Sequence, residues 1–482
     1  MVALLLWLSL SSSAWGSAPS QNYVVILLDA SGSMKQSDPQ FLRRDATNLL
    51  ISLLRDGDRL VLAEFGDEVR SLTDGVLVLN SQTRQTVRAA TEKLSAQYQH
   101  TDILAACQYA LQMVSALPSE VRQSFVPSVI LMTDGKDDVP GKPRRTHLIE
   151  EKSKEIAKLG ATVHTVGFSA AADLTLLRAI ADLTGGDVCV INHNTDLLRG
   201  FFGLSRVLGK RWDLSEQLVG GGSMLLSLPE WAKRVVACYL PKSRSNERLQ
   251  TQLAPDQEIV RPSYQLLRYN QLPNATLKLQ IPSGGGMLLV DAEDELVFQA
   301  LVGKKVPARI PFGIQARILP ARVAAMGQPH FLTQMAMLIT LKQDGRPEQT
   351  LRLYDDGRHD DGPAGDGLFG GYVSGLREGL WRYRIVARAP LSPPLATEGQ
   401  TEVLAAALTV SPPGKLRQYL WTPFTKQVSW KLCNQTDLSL TGEFSLKSKD
   451  IAPVSQKVIW QGGQCQEVHF ALSSQVKPGE AL

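Results

Sequence analysis

The chain has 482 residues, 44% of them hydrophobic and 20% charged, which describes a folded protein too long for a single core. Its net charge of +4 is small for that length and no dense Lys/Arg block stands out, so nucleic acid is excluded as an expected partner. Five cysteines are too few for a disulfide scaffold.

Residues 1–16, MVALLLWLSLSSSAWG, join a short apolar run to small residues, and Ala14-Trp15-Gly16 fits a small-x-small cleavage site. A signal peptide ending before Ser17 is the expectation, with one departure: no Lys or Arg precedes the apolar core. Export to the periplasm, the cell surface or the medium follows from it. No later apolar run approaches the ~20 residues of a membrane helix, so the mature chain is expected to lack a transmembrane segment.

From Asn22 to about Arg206, apolar strands alternate with amphipathic helices. Strands are predicted at Tyr23–Leu28, Arg59–Phe65, Ser128–Thr133 and Ala161–Phe168, with a short one in DVCVI after Gly185-Gly186. Helical periodicity covers Gln40–Arg55, Arg84–Ala96, Asp102–Ala116, His147–Leu159, Leu174–Leu183 and Thr195–Val207. Near-continuous apolar strands imply burial on both faces, and the intervening helices supply the cover. Residues 22–206 are therefore expected to form an α/β doubly wound, Rossmann-like domain.

After Lys210 the helical period fades and short strands separated by Gly/Pro turns take over. A β-sandwich module is expected at 210–302, an Ig-like β module at 307–410 closed by SPPGK, and a β-rich module at 416–482. Cys433 and Cys465 flank a strand-like stretch of the last one and can bridge in an oxidising compartment; the residues leave bridge and free thiols equally open. Cys107, Cys189 and Cys238 sit in apolar contexts and read as buried thiols.

The candidate site begins where the first strand stops. In DASGS, Asp29 ends the strand and Ser31 and Ser33 follow at alternate positions, so one loop can turn three oxygens the same way. Alone, that pattern is weak and is also ordinary turn chemistry. Two other loops strengthen it: Thr101 opens a helix in HTDILAACQYAL, and Asp134 ends a strand in TDGKDD. Hydroxyls and carboxylates converging from several strand ends suit a hard cation such as Mg²⁺, or Mn²⁺.

These three segments together resemble a von Willebrand factor type A (VWA) domain with a complete metal-ion-dependent adhesion site. The resemblance implies that Ser31, Ser33 and Thr101 bind the metal through their hydroxyls, and that Asp29 and Asp134 bind directly or through water. It further implies an open coordination position for an Asp or Glu of a partner protein. One departure is that Gln99 and His100 stand where many relatives have two glycines before the threonine, which stiffens that loop. Asp137 and Asp138 read as acidic rim residues near the metal.

A second acidic cluster lies in LYDDGRHDDGPAGDGLFGGYV, where Asp355, Asp356, Asp360, Asp361 and Asp366 stand among glycines. Two readings are open: a structural β-turn, in which Asp hydrogen-bonds its own backbone, or a Ca²⁺ site. The stretch resembles a turn in β-sandwich modules of extracellular proteins, and the VWA domain of calcium-activated chloride channel regulators is similarly followed by such a module.

No HExxH, GxSxG or P-loop motif is present, so an enzyme is not expected. The expected function is metal-dependent protein binding, in adhesion or assembly at the cell envelope. Two alternatives are a structural envelope component whose metal only stabilises the fold, and a regulatory subunit of a channel or ATP-driven complex.

Overall fold

The computed structural model describes residues 21–117, 125–142, 145–169, 171–192, 194–243, 247–274, 276–293, 296–308, 310–319, 329–411, 425–448 and 451–473. The expected signal segment, residues 1–16, lies outside them.

Among the described residues the first sheet comprises β1 (Gln21–Asp29), β2 (Arg59–Phe65), β3 (Val69–Ser71), β4 (Leu77–Val78), β5 (Phe125–Thr133), β6 (Thr162–Phe168) and β7 (Val188–Ile191). Its order is β3-β2-β1-β5-β6-β7, with β4 also paired to β2. The five long strands run parallel, while β3 and β4 return antiparallel along β2. Helices α1 (Met34–Ser37), α2 (Leu42–Leu53), α3 (Ser81–Thr91), α4 (Ile103–Ser115), α5 (Thr146–Lys158), α6 (Leu174–Thr184) and α7 (Asn194–Gly209) connect them.

Strand alternation decides which helix covers which face. Val24, Ile26 and Leu28 of β1 join a core with α2, α3 and α7, whereas Tyr23, Val25 and Leu27 join another with α4, α5 and α6. This is the doubly wound α/β arrangement expected for the N-terminal part, with both faces of the parallel sheet buried. One helix starts earlier than its apolar period suggested: Asn80 accepts hydrogen bonds from the Gln82 and Thr83 amides and forms a capping box that fixes the start of α3 at Ser81.

The chain becomes β-rich after Gly209, yet the core does not stop there. Strands β8 (Trp212–Val219), β9 (Gly222–Ser227), β10 (Val235–Pro241), β11 (Gln250–Thr251), β12 (Gln257–Arg261), β13 (Tyr264–Tyr269), β14 (Thr276–Ile281) and β15 (Gly286–Ala292) form two sheets, β12-β13-β10-β15-β8 and β11-β14-β9. One face of the larger sheet, through Val236, Cys238, Tyr264, Leu266 and Leu289, belongs to the same core as α2 and α7. Its other face packs on the smaller sheet. Charge reinforces this seam, since buried Arg206 of α7 bonds Asp291 at 2.8 Å and Asp213 at 3.1 Å.

Two further pairs of sheets complete the β-rich region. Strands β16 (Val297–Leu301), β17 (Lys305–Pro307), β18 (Phe312–Leu319), β19 (Ala336–Lys342), β20 (Gln349–Leu353), β21 (Leu368–Val373), β22 (Gly379–Arg388) and β23 (Leu395–Leu404) enclose a core that includes Ile314, Met337, Ile339, Trp381 and Ile385. A short helix α8 (His330–Thr333) sits at its edge toward β8. Strands β24 (Leu408–Ser411), β25 (Thr425–Asn434), β26 (Leu440–Ser448), β27 (Ile451–Trp460) and β28 (Cys465–Ser473) surround a smaller core of Val428, Leu432, Val458, Trp460, Val468 and Phe470. Cys433 and Cys465 face each other across β25 and β28 and are joined as a disulfide.

Candidate metal centre

The order of the first sheet creates the site. From β1 the chain crosses to β2 on one side and later to β5 on the other, so the carboxyl ends of β1 and β5 flank a crevice at the topological switch point. Asp29 is the last residue of β1, and Thr133 the last of β5 with Asp134 next. The loop after β1 is pinned on both sides: the Ala30 amide donates to the Phe65 carbonyl at 2.8 Å, and the Tyr98 amide donates to the Ala30 carbonyl at 3.2 Å.

Four of the five expected ligand residues are linked in one hydrogen-bonded chain. The Ser31 amide donates to Asp29 Oδ1 at 2.7 Å, and the Ser31 and Ser33 hydroxyls lie 3.0 Å apart. Ser33 Oγ in turn donates to Asp134 Oδ1 at 2.7 Å. Thr101, the fifth, reaches the same place across Gly135, where an added Cβ would stand 3.2 Å from Thr101 Oγ1. Gly135 thus leaves the threonine hydroxyl its room. Backbone holds the two loops together as well, since the Asp138 amide donates to the Thr101 carbonyl at 2.9 Å.

Two contributors were missed in the sequence. Thr133 Oγ1 donates to Asp29 Oδ2 at 2.5 Å, and Ser37 Oγ donates to Asp134 Oδ2. Ser37 lies one helical turn beyond Ser33, so the spacing within SMKQS was the available signal. Thr133 carried no such signal, because a threonine ending a buried strand is ordinary.

Asp29 has no exposed surface. Burial pushes its carboxyl up to about 6, against the hydrogen bonds from Ser31 and Thr133, and the neighbouring Asp134 charge adds to the rise. The donor set is therefore two carboxylates and three hydroxyls around one crevice. That chemistry fits a hard divalent cation, whose charge would answer the buried Asp29.

The loop before Thr101 owes its shape to a carboxylate in place of glycines. Asp67 accepts the Gln99 amide at 2.9 Å and the His100 amide at 3.1 Å. Gly66 lies under the same loop, where a Cβ would come within 2.3 Å of the Tyr98 side chain.

Asp137 requires a correction to its expected place at the metal rim. Its carboxylate faces Arg145, at 2.9 Å from Nε and 2.6 Å from Nη2, and also accepts the Ile103 amide at 3.0 Å. Only Asp138 is exposed, 3.9 Å from His100 Nδ1.

At the Asp/Gly-rich turn the carboxylates are engaged by backbone amides. Asp355 accepts those of Gly365, Asp366 and Gly367; Asp361 accepts those of Asp356, Gly357 and His359. Asp356 and Asp366 accept the amides two residues ahead, and Asp360 takes a positive φ of 59°. This arrangement is that of a self-bonded turn. A separate group, Asp213, Glu216 and His330, brings ligand-type atoms within 4.8 Å of one another. Arg206 at 3.1 Å and Arg199 at 2.6 Å already neutralise its two carboxylates.

Residues 22–189 match the family model of the von Willebrand factor type A domain, and residues 322–390 match that of the conditioned medium factor second Ig-like domain. A UPF0353 protein of Mycolicibacterium vanbaalenii is 26% identical over 245 residues, covering 45% of this chain and 70% of the relative. Among solved structures, a von Willebrand factor type A protein from Catenulispora acidiphila aligns over 80% of this chain and 67% of its own, at 15% identity and a TM-score of 0.38. The pilus adhesin SpaC from Lactobacillus rhamnosus GG aligns over 93% and 68%, at 9% identity and a TM-score of 0.33. The chain is an N-terminal VWA-type α/β domain followed by a β-rich region with an Ig-like segment.

Proposed function

We propose that the chain captures a partner protein at the crevice between β1 and β5, through a divalent cation held by Asp29, Ser31, Ser33, Thr101 and Asp134. Mg²⁺ or Mn²⁺ suits these oxygens best. The observation that carries the reading is the linked set Asp29–Ser31–Ser33–Asp134 at the switch point, with Thr101 beside it across Gly135.

When bound, the cation supplies an electrophilic position for a partner's Asp or Glu. The chain's own residues hold the donors in place. Thr133 orients Asp29, Ser37 orients Asp134, and Asp67 shapes the loop that presents Thr101. Three of the five donors are neutral hydroxyls, so the site balances a divalent charge without surplus and leaves it able to attract a further carboxylate. Binding rather than turnover is the reading, and the β-rich region acts as spacer or additional binding surface.

The disulfide between Cys433 and Cys465 supports an exported location, in the periplasm or at the cell surface. No helix among the described residues is long and apolar enough to cross a membrane.

Capture from envelope extract with Mg²⁺ and with chelator, using wild type and Asp29→Ala, tests the function. A protein retained by wild type in Mg²⁺ alone is the expected result. Equal capture by Asp29→Ala in chelator would overturn it and move the binding surface to the β-rich region. Metal that raises the melting temperature without altering capture would favour a purely structural role.

A further inference from the structure

Arg145 lies behind the site and touches both loops that build it. Its side chain is 7% exposed, and it donates to two carboxylates that are themselves only 10% exposed. Asp102 receives Nη1 at 3.2 Å and Nη2 at 3.0 Å; Asp137 receives Nε at 2.9 Å and Nη2 at 2.6 Å. Asp102 follows Thr101 directly, and Asp137 is three residues beyond Asp134. Two further amides engage them: Ala105 donates to Asp102 at 2.7 Å and Ile103 to Asp137 at 3.0 Å.

The charges explain why this matters at the crevice. Asp29 and Asp134 together balance one divalent cation. Asp102 is held separately by the Ala105 amide that it caps at 2.7 Å, but were Asp137 free to turn toward the same ion, a third carboxylate would join it and an incoming anion would meet net negative charge. Added carboxylate ligands tighten cation binding and occupy coordination positions. One buried guanidinium, planar and permanently charged, draws Asp137 toward Asp102 instead.

We propose that Arg145 is a positioning residue that withholds Asp137 from the cation and so reserves a coordination position for a partner's carboxylate. The proposal rests on the cation-dependent reading of the site. It assigns Arg145 an effect opposite to that of a residue that merely keeps the loops folded. Losing a purely structural support weakens the cation; losing Arg145 strengthens it while closing the position that a partner needs.

The test is Mn²⁺ titration of the full chain followed by electron paramagnetic resonance, with coordinated waters counted by double resonance in ¹⁷O-labelled water. Arg145→Met is expected to bind Mn²⁺ about tenfold more tightly and with one coordinated water fewer, as an extra carboxylate ligand requires. Arg145→Met/Asp137→Asn should return both readings to wild type. Asp137→Asn alone, which keeps Arg145 and tests the idea even where Arg145→Met fails to fold, should leave Mn²⁺ affinity and water count unchanged. Weaker or unaltered binding by folded Arg145→Met overturns the proposal, as does loss of affinity in Asp137→Asn. Wild type that binds no Mn²⁺ overturns the cation reading itself, and this proposal with it. Wild type that binds while Arg145→Met does not tighten overturns the role of Arg145 alone.

Discussion

A carboxylate without exposed surface, such as Asp29, costs free energy unless a charge answers it. Asp29→Asn keeps one acceptor oxygen for the Ser31 amide, offers an NH2 to which the Thr133 hydroxyl can turn as acceptor, and removes that charge. Without divalent cation the variant is therefore expected to be more stable than wild type, by about 1 kcal/mol in order of magnitude. With Mg²⁺ the order should reverse, because only wild type gains from binding. Thermal melts with and without Mg²⁺ check both signs, and a variant that gains as much from Mg²⁺ as wild type contradicts the assignment of Asp29. Thr101→Ala removes one neutral hydroxyl that water can replace, so Mg²⁺ binding should weaken less than in Asp29→Ala while capture is lost. At the Asp/Gly-rich turn, Asp355 and Asp361 each hold three amides. Replacing either with Ala should cost about 1–3 kcal/mol by leaving those donors unanswered. On the turn reading the same loss should appear with Ca²⁺ and with chelator; a Ca²⁺-dependent difference in melting would favour the calcium reading instead.

The loop from Tyr98 to Thr101 is shaped by side chains rather than by glycines. Asp67 caps two of its amides, and Tyr98 packs on Gly66. Asp67→Ala should free the Gln99 and His100 amides, cost about 1 kcal/mol and weaken Mn²⁺ binding through the displaced Thr101. Calorimetric titration of Mn²⁺ measures this, and unchanged affinity would show that Thr101 is positioned by the helix alone. Much of this element level was legible in the sequence. The strand Arg59–Phe65 and the last residues of β1, β5 and β6 follow from apolar runs ending in polar turns, and α4 to α7 fall within two residues of their periodic stretches. What escaped was contact between distant segments. Nothing local in YQHT signals that Asp67 shapes it, and nothing in DGKDD signals that Asp137 turns away to an arginine eight residues on. Strands β3 and β4 are three and two residues long, too short for a period of two to declare itself.

At the scale of the whole molecule, the α/β part and the first β-sandwich share a hydrophobic core across α2 and α7. A change of periodicity at Lys210 reads as a boundary because composition reports local structure and not which faces meet. A chain ending at Lys210 would expose that face and leave Arg206 without Asp213 and Asp291. It is expected to melt lower than the full chain and to self-associate; light scattering that shows a stable monomer would contradict the shared core. The C-terminal core is small, and the Cys433–Cys465 bridge closes a separation of 32 residues within it. Reduction should destabilise that region by about 2–4 kcal/mol, read as earlier amide exchange in β25 and β28. The cation site remains the centre of the account, and anomalous scattering from crystals grown with Mn²⁺ tests it most directly. A single peak bonded at about 2.1–2.2 Å to Ser31 and Ser33 hydroxyls, with Thr101, Asp29 and Asp134 around it, is the predicted result. A map with no peak at that crevice, or with Mn²⁺ only at Asp213, Glu216 and His330, would contradict it.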